Sequence, residues 1–257
     1  MTRADTIGEL ARPDRDALIR LGRRSRELIT DLQADSGAYP ACPQFSAYRG
    51  YAWLRDGSFT AEGMSRVGAA ESADRFHDWV GGVLTDRADR VAAVLAAARD
   101  DDPEPALLLP TRFTLDGRDG SDPWWDFQTD GYGLWLWAVT RHARRHGRDL
   151  DRWLAGIGVC VDYLCAVGER ACYDWWEEHV EHRHTSTLGA VFAGLVAASG
   201  IPELGERRRA AAADTAGRIR AVLLADAVSP AGHLTKWIGT DAVDGSLPAC
   251  VVPFGLL

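Results

Sequence analysis

The segment Tyr173-Asp174-Trp175-Trp176-Glu177-Glu178 sets adjacent carboxylates against indole rings, and Trp53-Leu54-Arg55-Asp56 combines the same residue types upstream. An indole face packs against the apolar face of a sugar ring, while Asp, Glu and Arg hydrogen-bond to hydroxyls. A carboxyl beside apolar rings has its charged form disfavoured, so it can keep a proton near neutral pH and deliver it as an acid. These residue types point to cleavage of a carbohydrate bond.

Simpler readings exist for each group. Asp56, next to a helix start, suits an N-cap. Glu177 and Glu178 in a loop suit solvated charges. Glu177, Glu178, His179, Glu181, His182 and His184 also form a dense set of metal-ligand types. That set is not H-E-x-x-H and no cysteine joins it at zinc spacing, so no metal and no cofactor is expected in the site. Ten tryptophans suit sugar binding, but large helical cores use them too.

The elements that must position these residues are helical. Asp14 to Leu32 is amphipathic, with Leu18, Leu21, Leu28 and Leu32 near helical spacing. Residues 37–50 form a loop containing Pro40 and Pro43. A helix is expected from about Asp56 to Val67, ended at Gly68. Another spans Glu71 to Arg99 with a break near Gly81-Gly82. Leu107-Leu108-Leu109 is read as a short strand. Asp130 to His146 is apolar on nearly every face, which predicts enclosure by other elements. Helices over Asp149–Val167, Thr185–Ser199 and Pro202–Ala225 follow. No run alternates with period two, so strands are minor. Surface and enclosed helices thus alternate, with the chemistry-bearing segments in loops entering the enclosed ones. Two concentric rings around a pocket explain this order; a plain helical bundle is the simpler alternative.

Four segments in order then resemble glycoside hydrolase family 15, the glucoamylase family. Tyr51-Ala52-Trp53-Leu54-Arg55-Asp56-Gly57 is similar to its W-x-R-D segment. Trp124-Trp125-Asp126-Phe127-Gln128-Thr129-Asp130-Gly131 resembles a segment ending in Q-x-D-G. Tyr173 to Glu178 is similar to D-L-W-E-E, with Trp175 in the leucine place. Asp244-Gly245-Ser246-Leu247 through Pro253-Phe254-Gly255 resembles D-x-S-L…P-F-G. The resemblance implies an all-α (α/α)6 barrel and an inverting exo-hydrolase that releases glucose from non-reducing ends of α-glucosides. It places Glu177 as general acid, with Arg55 and Asp56 on the hydroxyls of the terminal glucose. Trp53 and Trp124 would line the pocket, and Asp174, Trp176 and Glu178 would shape the acid's surroundings and the adjoining subsite. A small α-1,4- or α-1,6-linked oligosaccharide is the implied substrate.

Inversion needs a second carboxyl, roughly 6.5–9.5 Å from the first, to activate water. The family places this base after its P-F-G segment, and no downstream acid here takes that position. About seven or eight helices are expected where the resemblance implies twelve, a count good to one or two. The expectation is one catalytic-type barrel domain over residues 1–257, incomplete at its C-terminal side and inactive by itself. The alternatives are an α-glucan-binding half-barrel without chemistry and a metal-binding helical protein.

Composition bounds the remaining classes. The formal net charge is -8, and no basic run interleaved with aromatics occurs, so nucleic acid is not an expected partner. No apolar run reaches the roughly 18 residues of a membrane span. The first residues, Met1 to Asp5, lack the apolar stretch of a signal peptide. Five cysteines without C-x-x-C spacing suit free thiols, and a cytoplasmic location is expected.

Overall fold

The computed structural model describes residues 14–257 except 46, 101–102 and 125, and the side chains of 99 and 100 are also outside the description. The signal-peptide reading of residues 1–5, and Trp125 of the second segment, lie outside the described residues.

Helix α1 (Arg15–Leu32) starts at Asp14, whose carboxylate accepts from the backbone of Asp16 and Ala17. None of its residues is buried, and Leu18 and Leu21 keep 50% and 62% of their surface exposed. Strand β1 (Tyr51–Trp53) runs directly into α2 (Leu54–Arg66). The helix therefore begins before Asp56, whose place is in the first turn; Trp53 is the capping residue and makes no side-chain cap. β1 pairs antiparallel with β2 (Arg112–Thr114), with Trp53 opposite Arg112.

Two expected features are corrected here. The third helical region divides into α3 (Ala70–Thr85) and α4 (Ala88–Asp100), so the break falls after Thr85 and not at Gly81-Gly82. Gly81 serves packing instead: a Cβ on Gly156 of α6 (Leu154–Val167) would lie 2.8 Å from the Gly81 Cα. The strand placed at Leu107–Leu109 is a single 3₁₀ turn over Pro105–Leu107, where proline fixes the first position, and the extended segment begins at Arg112.

Helix α5 (Asp130–His146) is buried at every residue from Asp130 to Val139, and α7 (Thr185–Ser199) at every residue from Thr185 to Leu195. Continuous burial explains their lack of a polar face. α5 packs between α2 and α7, giving an inner layer of three. α3, α6 and α8 (Gly205–Asp226) lie behind them, with α4 against α6. A short α9 (Pro248–Val251) contacts α7. The alternation of outer and inner helices expected from the sequence is present as an arc of two layers.

The inner helices meet at backbone distance. A Cβ on Gly133 would come within 2.5 Å of the Ala190 carbonyl oxygen, and one on Gly194 within 2.3 Å of the Gly133 carbonyl oxygen. At the far end of α2 and α5 lies a polar layer in which Glu62 accepts from Arg66, Arg141 and Arg145. Nearby, Asp74 accepts from His142 at 2.8 Å and Arg148 at 2.7 Å. No single helix among the described residues is long and apolar enough to cross a membrane.

Candidate active site

A cavity of about 520 Å³ opens at the N-terminal ends of α2 and α5. Its walls include Trp53, Arg55, Asp56, Trp176 and Glu177, which come from segments more than a hundred residues apart. A second recess shares Arg55, Asp56 and Trp175 with it.

Glu177 is the focus of this cavity. Its Oε1 accepts from Trp53 Nε1 at 3.0 Å, Trp124 Nε1 at 3.3 Å and Gln128 Nε2 at 3.4 Å. One donor arrives from β1 and two from the segment before α5. Gln128 is buried and uses both ends of its amide: Oε1 also accepts from Arg55 Nη1 at 2.8 Å. The same Nη1 donates to Asp130 Oδ2 at 2.9 Å, a carboxylate with no exposed side chain. Burial works against the charge on Arg55, but Asp130, then Asp56 and Glu177, hold its guanidinium protonated. The Asp56 carboxyl is raised above the ordinary aspartate range by the protein packed around it, against the pull of Arg55, although half of its side chain reaches solvent.

The loop carrying Glu177 is fixed from below. Asp174 is buried, and its Oδ1 accepts from the backbone N–H groups of Trp176 and Glu178, each at 2.9 Å. Glu177 N–H donates to the Asp174 carbonyl at 3.1 Å, and Asp174 N–H to the Glu178 carbonyl at 3.2 Å. The turn is so tight that Glu177 and His179 take left-handed φ angles of 63° and 55°. Such angles are uncommon for side-chain-bearing residues and mark strain held by the surroundings.

Lys236 completes this support. It is the only lysine in the chain. Its Nζ lies 3.5 Å from Asp174, 3.7 Å from Glu178 and 3.6 Å from Asp244. Asp244 in turn accepts from Trp176 Nε1 at 2.8 Å, which holds that indole upright at the cavity rim.

The structure thus gathers Trp53, Arg55, Asp56, Trp176 and Glu177 on one cavity, with Trp124 bonded to Glu177. Trp124 contributes through its N–H to Glu177 and packs edge-on to Trp53 at 5.6 Å between ring centroids. Asp174 and Glu178 flank the acid within the same loop. The Asp174 carboxyl is enclosed beneath the loop and occupied by it. The Glu178 carboxylate lies 3.7 Å from Lys236 Nζ and 3.9 Å from His179 Nε2 and is not among the residues lining the cavity. Both position the loop. Sequence reasoning missed Tyr48 and Trp175 on the wall, and Gln128, Arg112 and Lys236 behind it. Arg112 is buried and stacks its guanidinium over Tyr51 at 3.9 Å and Trp124 at 4.2 Å. Gln128 stood within a recognisable segment, and Lys236 was visible as a lone lysine; neither position has a local pattern that states its role.

Comparisons agree with this geometry. The sequence profile of glycosyl hydrolases family 15 matches residues 25–246. An isomaltose glucohydrolase of Kribbella flavida is 62% identical over 251 residues, covering 97% of this chain and 64% of that protein. The chain therefore spans somewhat less than two thirds of this relative. A solved glycosidase described as wild type superposes with a TM-score of 0.90 at 61% identity, over 95% of this chain and 67% of its own. A variant glycosidase in complex with glucose gives the same values. A glucoamylase from Saccharomycopsis fibuligera, at 18% identity and a TM-score of 0.66, covers 88% of this chain and 54% of its own and shares the fold, an (α/α)6 barrel to which the arc of inner and outer helices corresponds.

Proposed function

The chain belongs to glycosyl hydrolase family 15, and from that premise we propose that it forms the acid-bearing wall of an inverting exo-α-glucosidase that releases glucose from short α-1,6- or α-1,4-linked oligosaccharides. The observation that carries the reading is the convergence of three N–H donors on Glu177 Oε1 inside a cavity that also holds Arg55 and Asp56. With Oε1 occupied as an acceptor, the proton to be delivered rides on Oε2. Glu177 gives it to the glycosidic oxygen as the bond to the anomeric carbon breaks. Arg55 and Asp56 grip hydroxyls of the terminal glucose, and Trp53 and Trp176 pack on its faces. The name of the Kribbella relative supports isomaltose as the first substrate to try.

Among the described residues, the carboxyls lining this cavity are Asp56 and Glu177. Asp56 stands beside Arg55 on the sugar-gripping side, so we assign no residue of this chain to the general base. The same observation favours a second reading, a glucan-binding half-barrel without turnover. We read the chain as one catalytic-type domain. We also propose a cytoplasmic location, which five unpaired cysteines suit.

The test is glucose release from isomaltose and maltose by residues 1–257, with glucose binding followed by calorimetry. Binding without turnover fits the assignment. Robust turnover would show that a base lies within these residues. Absence of both would remove the sugar site altogether.

A further inference from the structure

Three side chains that the proposed reaction does not use meet on the loop beyond Glu178. His179 Nδ1 lies 3.7 Å from Glu181 Oε1, and His182 Nε2 lies 3.5 Å from the same oxygen. Ligand atoms of all three fall within 4.8 Å of one another. The juxtaposition is built by the backbone. His182 N–H donates to the His179 carbonyl at 3.1 Å, closing a turn that projects both rings to one side. Buried His184 donates its Nε2–H to that carbonyl at 2.8 Å, anchoring the turn to the start of α7.

The rings are also supported from behind. His182 stacks on Trp237 with centroids 4.4 Å apart and planes 16° from parallel. His179 lies 5.1 Å from the same indole. Lys236, the chain's one lysine, is held among Asp174, Glu178 and Asp244, so its charge is compensated.

We propose that His179, Glu181 and His182 form a binding site for one divalent transition-metal ion of the zinc or nickel type. Two imidazoles and one carboxylate are a donor set suited to these ions, with the remaining positions left to water. Tetrahedral bonds of about 2.1 Å put neighbouring donor atoms about 3.4 Å apart. The two contacts to Glu181 already approach that spacing, and rotation of the exposed His179 and Glu181 side chains closes the third. The donor set is too soft and too poor in oxygen for calcium or magnesium. An ion there ties together the loop that begins with the strained Glu177–His179 turn.

The test does not depend on hydrolysis. The 257-residue protein, with its thiols kept reduced by a phosphine, is titrated with Zn²⁺ and separately with Ni²⁺ by calorimetry. One ion per chain is expected, with affinity about tenfold or more weaker in His182→Ala and in His179→Ala. His233→Ala, outside the cluster, should bind as the parent does. Ni²⁺ should quench tryptophan emission, and the quenched component should be absent in Trp237→Phe, which keeps an aromatic ring behind His182. Circular dichroism confirms that each variant is folded. No binding up to millimolar ion, or equal affinity in the parent and His182→Ala, overturns the site. Either failure leaves the glucosidase reading untouched.

Discussion

Trp53 Nε1 donates to Glu177 Oε1 at 3.0 Å across 124 residues of sequence. This contact joins the first and third motif segments and defines which oxygen of the acid is free to carry a proton. Trp53→Phe keeps the ring and removes only the donor. Hydrogen bonds to charged groups contribute about 1.5–3 kcal/mol, so in a turnover-competent enzyme carrying these residues kcat should fall roughly tenfold or more with KM little changed. Glu177→Gln should lose about 10²–10⁴-fold in hydrolysis while glucose still binds. Glu178→Gln should lose far less, because that carboxyl is directed to Lys236. Equal losses in the two glutamine variants would reassign the acid.

Lys236→Met tests the support under the acid loop. It leaves Asp174, Glu178 and Asp244 facing one another without their shared cation. Removing one partner of a largely buried charge cluster costs about 3–5 kcal/mol, and the partial exposure of Glu178 puts the expected loss at the low end. Lys236→Arg should recover most of it. The deficit should narrow on acidification, as Asp244, whose carboxyl burial pushes up but Ser246, Trp176 and Lys236 hold below the ordinary aspartate value, takes up a proton. Thermal unfolding at two pH values reads this directly, and a deficit independent of pH would argue for a packing role.

Acid sensitivity should arrive in two stages. Burial, and then the neighbouring His142, hold His77 well below its ordinary value of 6.5. Neither of its ring nitrogens has a hydrogen-bond partner among the described residues. Protonation is therefore harder in the fold than in the unfolded chain. The stability this represents is complete above about pH 6.5 and is lost as pH falls below it. Glu62 follows at lower pH. Burial pushes its carboxyl up, but Arg145 and Arg66 outweigh that and hold it below its ordinary 4.5. Its contribution is present above that value and drains as pH falls through the depressed one. His77→Phe should flatten the melting-temperature profile between about pH 6.5 and 5, and Glu62→Gln the part below about pH 4.5. An unchanged profile in His77→Phe would sink the first assignment.

Two glycine replacements, one at the α5–α7 crossing and one on α8, should have opposite outcomes. Gly133→Ala puts a methyl 2.5 Å from the Ala190 carbonyl oxygen and should destabilise by at least the ~1–3 kcal/mol of an overpacked core. Gly217→Ala, on a part of α8 with nothing within 4 Å, should stabilise by about 0.5–1 kcal/mol. Chemical denaturation of both variants checks the pair, and a stable Gly133→Ala protein would mean that the helices can separate there.

The layers were legible because enclosure leaves a mark: α5 and α7 have no polar face over their buried stretches. The motif residues were legible because each segment carries its chemistry within a few positions. Gly81-Gly82 misled because a glycine pair reads as a helix break, whereas here one of them admits Gly156 of a neighbouring helix. The partners of Asp174 and Glu178 were not legible, since the direction of a side chain in a five-residue loop depends on backbone angles that no local pattern fixes. Gln128 and Lys236 act through partners brought to them by the fold, so their roles emerge in the folded chain.

The single lysine has a practical consequence. Apart from the α-amino group, Lys236 is the only primary amine in a protein whose other basic side chains are arginine and histidine. Amine-directed reagents therefore have one side-chain target, and it lies under the loop that carries Glu177. Neutralising acylation of that amine should loosen the loop, whereas reductive methylation, which keeps the charge, should be tolerated.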